Sequence, residues 1–208
     1  MGSMNKLRDM IGVLKKEGRM KKLAYILIIL LVLTSCTRDK TVEKVNGDVV
    51  QIEASYQFDI NDFEMLVGYA DFVFVGKVNK ELGTLMKHGS EEVETCEPIN
   101  DPGTPYTNYE VIVEENIKGE LITDKPIEIQ KAGGYDGEGR LVLFNNDLLP
   151  EEGKEYIFVV YVQQNGDLLA SGENTTFLLN DDILAKIKEG YRNQKVGDRQ
   201  RFTTQYSK

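Results

Sequence analysis

The chain is 208 residues long, with 34 acidic against 25 basic side chains and a net charge of −9. That length suits a leader followed by one domain with a sizeable core. The acidic balance excludes a nucleic-acid partner, whose phosphates must be met by lysine and arginine, and two cysteines exclude a disulfide-stapled scaffold.

The first legible element is an export segment. Lys21 and Lys22 precede an unbroken apolar run, Leu23–Leu33, which closes on Thr34 and Ser35 before Cys36. A basic start, a short apolar stretch and small residues before a processing point make a secretory signal peptide over residues 1–35. At about 1.5 Å per residue that run spans roughly 16 Å, about half of a hydrocarbon core, so a permanent transmembrane helix is disfavoured. Residues 1–19 fit poorly as a basic start because they are long and include Asp9 and Glu17. Translation beginning at Met20 and a longer start at Met1 both stay open.

Leu33-Thr34-Ser35-Cys36 resembles the lipobox of bacterial lipoproteins. The resemblance implies cleavage before Cys36 and a diacylglycerol, with palmitate-type chains, on its thiol. The expectation is a domain held by lipid on the extracytoplasmic face of the cell membrane, since acylated chains anchor through their buried CH₂ groups. Residues 1–35 carry seven Lys/Arg and two Asp/Glu, so the processed chain keeps 18 basic and 32 acidic residues, a net charge of about −14. Such a surface keeps a protein soluble and repels an anionic membrane face.

Residues 36–48 are polar and charged, a tether between lipid and domain. Val49–Phe58 is apolar and leans to β structure. Phe63, Leu66, Val67 and Ala70 recur at helical spacing, predicting a short helix capped by Asn61 or Asp59. Asp71–Asn79 alternates as a strand, with Phe72, Phe74 and Gly76 on one face and Val73, Val75 and Lys77 on the other. Asn108–Ile117 sets Tyr109, Val111 and Val113 against Glu110, Ile112 and Glu114. Pro126–Lys131 reads as a strand with Ile127 and Ile129 inward and its charges outward. Glu155–Val162 is nearly all apolar, hence central, and Asn165-Gly166 turns it into Asp167–Ser171. Thr175–Leu179 is a further strand or a continuation. Asn180 or Asp181 caps a closing helix over Asp181–Gly190, with Gly190 as its stop. Two long loops are expected, Glu81–Thr107 and Ala132–Gly153, and a loose polar tail over 193–208.

Several strands, a hairpin and no βαβ alternation predict a mainly β fold over residues 49–192. The preferred form is a five-stranded Greek-key, OB-like barrel with a short helix before its first strand and a C-terminal helix. The segments Ala70–Val78, Tyr109–Val113 with Ile117-Lys118-Gly119, Gly153–Val159 and Asn165–Leu168 together resemble the OB-fold of tissue inhibitors of metalloproteinases and netrin-like domains. The resemblance implies architecture only. Those inhibitors chelate a target's zinc through a free N-terminal cysteine held by disulfides, whereas Cys36 would be acylated and set apart by the tether.

Little else carries chemistry. His88 is the only histidine, too little for a histidine metal site or a catalytic triad, and reads as a surface residue. Cys96 lies between Glu94 and Glu97, which raise a thiol pKa and argue against a nucleophile. Gly133–Gly139 sets acidic residues on a glycine-rich frame but lacks both the ligand spacing of a calcium loop and the ending of a phosphate loop. Tyr106, Tyr109 and Tyr135 could line a ligand face; Glu91-Glu92 and Glu151-Glu152 read as solvated pairs. With no catalytic residue, metal or cofactor assigned, the expected function is non-enzymatic: a binding or interaction module, ligand unknown, that meets a surface or secreted protein partner. The alternatives are a hydrolase using carboxylates of the Ala132–Gly153 loop and a protease inhibitor acting through its loops.

Overall fold

Alternating apolar positions build a ring of five strands in the computed structural model of the chain, which describes residues 49–88 and 103–208. The predicted processing point, Cys36, and the tether lie outside the described residues, as do Glu91, Glu92 and Cys96. The chain is mainly β with two helices and two sheets of mixed pairing. In order, it forms β1 (Val49–Ile52), α1 (Phe63–Tyr69), β2 (Phe72–Lys87), β3 (Thr104–Lys118) and β4 (Ile127–Ala132). There follow β5 (Gly134–Tyr135), β6 (Leu141–Phe144), β7 (Glu155–Val162), β8 (Leu168–Ala170), β9 (Thr176–Leu178) and α2 (Asp181–Arg192).

The larger sheet runs β2-β3-β4-β8-β7-β9, and β2 also pairs with β7, closing the first five into a ring. Every pairing in the ring is antiparallel except β4 with β8. Inward positions alternate as period two requires. Phe74 and Val78, Tyr109, Val111 and Val113, Ile127 and Ile129, Phe158 and Val160, and Leu168 share one buried cluster. The opposite faces of β2 and β7 are buried too, because α1 and α2 lie on Val73, Val75, Ile157 and Val159. This double burial is why Glu155–Val162 reads as almost continuously apolar.

Both helices start at capping side chains. Asp62, rather than Asn61 or Asp59, caps α1, its Oδ1 accepting from the amides of Glu64 at 2.9 Å and Met65 at 3.3 Å. Asn180 caps α2 through the Ile183 amide at 2.9 Å. Gly190 does not stop α2. The helix runs on to Arg192, and a Cβ at Gly190 would stand 2.7 Å from the Phe63 carbonyl oxygen. The glycine permits close crossing of the two helices instead.

Both expected long loops contain strand. β2 continues through Lys87 and pairs with β3 from Thr104 onward, across several register shifts. Its outer half is largely exposed on both faces and mixes Leu82, Leu85 and Met86 with polar residues, so no alternation marks it, and pairing with β3 carries it. Within Ala132–Gly153, β6 pairs in parallel with β1 and antiparallel with β5, a small second sheet. Residues 193–208 are not loose. Phe202 and Tyr206 pack against the inner cluster, and Ile122 and Lys208 amides donate to Tyr206 and Glu120 carbonyls, both at 2.9 Å.

Candidate functional site

The expectation of outward charges on β4 fails at one residue, and that residue organises the site. Lys131 is in phase with Ile127 and Ile129, so the strand turns it inward, where it is wholly buried. Its Nζ lies 2.5 Å from Asp147 Oδ2, 3.1 Å from Thr175 Oγ1 and 3.2 Å from the Gly172 carbonyl oxygen. Three ammonium hydrogens thus face three acceptors. The Asp147 side chain is 1% exposed, and its Oδ1 accepts from the Leu148 amide at 2.9 Å. Burial pushes the Asp147 carboxyl up and the Lys131 ammonium down, each opposed by the other's charge. Such a pair is tolerable when every donor and acceptor is met.

The ammonium ties two loops to the ring, and each loop helps to wall a recess. The larger recess, about 600 Å³, lies along β5, β6 and the 147–152 loop. Leu141, Leu143 and Leu149 give it an apolar lining, and Glu81 and Glu152 an acidic one. Glu152 Oε1 accepts the Glu81 amide at 2.8 Å; Glu151 forms an exposed ion pair with Lys154 at 2.8 Å.

The smaller recess, about 290 Å³, is lined by Tyr56, Phe58, Phe144, Tyr161 and Glu173, together with Gly172 and Thr175 from the loop that Lys131 holds. Tyr56 Oη accepts from the Glu173 amide at 2.9 Å, and burial raises the phenol's pKa. Gly172 has φ +89°, and a Cβ there would stand 2.7 Å from Tyr56 Oη. Only glycine suits both the backbone and the ring's approach. Tyr161 comes from β7, its ring 5.1 Å from the Arg199 guanidinium, and burial pushes its phenol up to about 12. Glu173 Oε1 accepts from Asn146 Nδ2 at 3.0 Å.

The residues singled out in the sequence fall elsewhere or separately. His88 is exposed at the outer end of β2. Tyr106 lies under Lys87 Nζ at 4.5 Å, Tyr109 is buried inside the ring and Tyr135 lines the larger recess, so the three share no ligand face. In the Gly133–Gly139 run, Asp136 Oδ1 accepts the Glu138 and Arg140 amides at 2.9 Å each, and Oδ2 accepts Arg140 Nε at 2.8 Å. Slight burial opposes ionisation there, but those donors outweigh it and hold the carboxyl below its usual range. Its carboxylate organises a turn. Among the described residues no group of three or more His, Cys, Asp or Glu is placed to hold a metal ion. Tyr56, Tyr161 and Glu173 escaped the sequence reading, since nothing in their spacing brings them together; Lys131 was findable from its phase with Ile127 and Ile129.

No protein-family model matches the chain, and a search of curated proteins finds none significantly similar to it.

Proposed function

We propose that the chain is a lipid-anchored, extracytoplasmic, non-enzymatic binding module. The observation that carries the binding part is the pair of recesses on a closed ring, with the buried ammonium between their walls fully occupied in holding them. Preformed concave surfaces of this kind suit recognition. The hydrolase alternative draws on carboxylates of the same loop, but Asp147 is committed to Lys131, Asp136 to Arg140 and Glu151 to Lys154. The anchor rests on Leu33–Cys36 and the apolar run before it. Among the described residues no helix is long and apolar enough to cross a membrane. The cyclic order β2-β3-β4-β8-β7 with its single parallel pair supports an OB-like Greek-key barrel, and with it the likeness to the metalloproteinase-inhibitor and netrin-like architecture.

Two measurements test this. Metabolic labelling with a palmitate analogue should mark the wild-type chain and leave Cys36→Ser unlabelled and uncleaved; labelling of the variant sinks the anchor. Crosslinking on intact cells should capture a partner or ligand whose yield falls when Leu143→Arg fills the larger recess or Phe144→Ala strips the smaller. Capture unaffected by both variants would count against a role for the recesses.

A further inference from the structure

We propose that the smaller recess binds a quaternary or methylated ammonium group, an assignment that rests on the binding-module reading and gives it a ligand class. Four aromatic side chains, Tyr56, Phe58, Phe144 and Tyr161, line it together, and each is only half-buried. Aromatic faces carry negative quadrupole charge and attract cations placed over them. Tyr161 already shows this, with the Arg199 guanidinium over its ring at 5.1 Å. Arg199 shares the Asp71 carboxylate with Arg201.

The charge of the lining points the same way. Glu173 takes part in no ion pair among the described residues, and its carboxylate accepts from the neutral Asn146 amide. The buried cation nearby, Lys131, is balanced by Asp147. A carboxylate therefore stands beside the rings without a counter-charge, so an anionic ligand is repelled and a neutral one leaves it uncompensated.

Hydrogen-bonding capacity separates the kinds of cation. Thr175 Oγ1 donates to the Gly172 carbonyl at 2.7 Å and accepts from Lys131, and Tyr56 Oη accepts from the Glu173 amide. A primary ammonium would lose strongly bound water, and Glu173 is the one charged acceptor that the lining offers it. A methylated ammonium has little hydration to lose and gains dispersion contact with the rings. At about 290 Å³ the recess sits at the small end of ligand sites, room for a single headgroup.

The test is calorimetric titration of the full chain in maltoside micelles with choline, with its neutral carbon isostere dimethylbutanol, and with phosphocholine. Choline should bind saturably with a Kd on the order of 1 mM, and the isostere at least about tenfold more weakly. Glu173→Gln should weaken choline about three- to tenfold and leave the isostere unchanged. Tyr56→Leu should weaken choline while far-UV circular dichroism reports an intact fold. Choline against phosphocholine distinguishes a free quaternary ammonium from a lipid headgroup, and saturable binding in either arm supports the site. Absence of saturable binding in both arms, or equal binding of choline and its isostere, overturns the assignment. A chain that is acylated at Cys36 and captures a partner through the larger recess, yet ignores choline, keeps the module reading and loses only this ligand class.

Discussion

Lys131 and Asp147 show what a buried charge pair does and does not contribute. Each is almost wholly withdrawn from water, so their attraction mainly offsets a desolvation cost of several kcal/mol per ion. Removing one partner leaves the other charged and unmet. Lys131→Met should lower unfolding free energy by about 3–5 kcal/mol in urea titrations, because Asp147 loses its counter-charge and Thr175 and Gly172 each lose a donor. Replacing both, Lys131→Met with Asp147→Leu, should recover most of that loss, since an apolar pair carries no such cost. If the double variant is as unstable as the single one, the pair is favourable in its own right. The distinction bears on the site, because Lys131 holds Gly172 and Thr175, which wall the smaller recess.

At the scale of elements, α1 and α2 are held together by an absence. In an exposed helix interior, glycine to alanine stabilises by about 1 kcal/mol. At Gly190 the new Cβ would meet the Phe63 carbonyl oxygen at 2.7 Å and its Cβ at 3.0 Å, and both are fixed by the first turn of α1. Gly190→Ala should therefore destabilise by about 1–3 kcal/mol, the range for overpacking; a rise in melting temperature would show that the crossing is looser than this. The same position marks where the sequence stops being legible. Glycine after an apolar helical stripe signals a C-terminus by local rule, and nothing within α2 says that another helix presses there. The inner faces of β2 and β3, and Ile127 and Ile129 of β4, were readable because period-two alternation is local. So was the Asn165-Gly166 turn, where Gly166 has φ +89° and the Gln163 amide donates to Asp167 O at 2.8 Å. The small sheet of β1, β5 and β6 was not readable, since it joins three short runs through long-range pairing. The smaller recess was still less so, its aromatic residues coming from positions 56, 58, 144 and 161.

At the scale of the molecule, the C-terminal segment closes the structure, and its charge can be read out by pH. Arg199 and Arg201 both reach Asp71, whose side chain is 7% exposed, and Asp71 Oδ2 accepts the Val162 amide at 2.7 Å. The carbonyls ending α1 receive three cations: Lys118 Nζ on Val67 at 2.6 Å, Arg199 Nε on Tyr69 at 2.8 Å and Arg201 Nη2 on Gly68 at 3.0 Å. Cations at a helix C-terminus are favourable, but crowding has a consequence. Burial first, then the charge of Arg201, lower the Lys118 pKa to about 8; Asp71 opposes them, and Arg199 adds a smaller push downward. Unfolded lysine titrates near 10.4. Between about pH 8 and 10 the unfolded chain therefore binds more protons at this position than the folded chain, and stability rises with pH through that window. A neutral amine keeps two hydrogens, enough for the Val67 and Gly68 carbonyls. Above pH 10 the trend reverses, because Tyr161, raised to about 12, stays protonated folded while unfolded tyrosine ionises. Urea midpoints of the full chain should climb from pH 7.5 to 9.5, and Lys118→Met should flatten that climb. Deleting residues 194–208 should flatten it too, by removing both arginines and exposing Lys118. The deletion should also lower stability by about 4 kcal/mol or more, as Asp71 loses its partners and Phe202 and Tyr206 leave the core. A slope that survives in Lys118→Met would place the titrating group elsewhere, and a deletion without effect on stability would mean that the last fifteen residues rest on the ring without holding it closed.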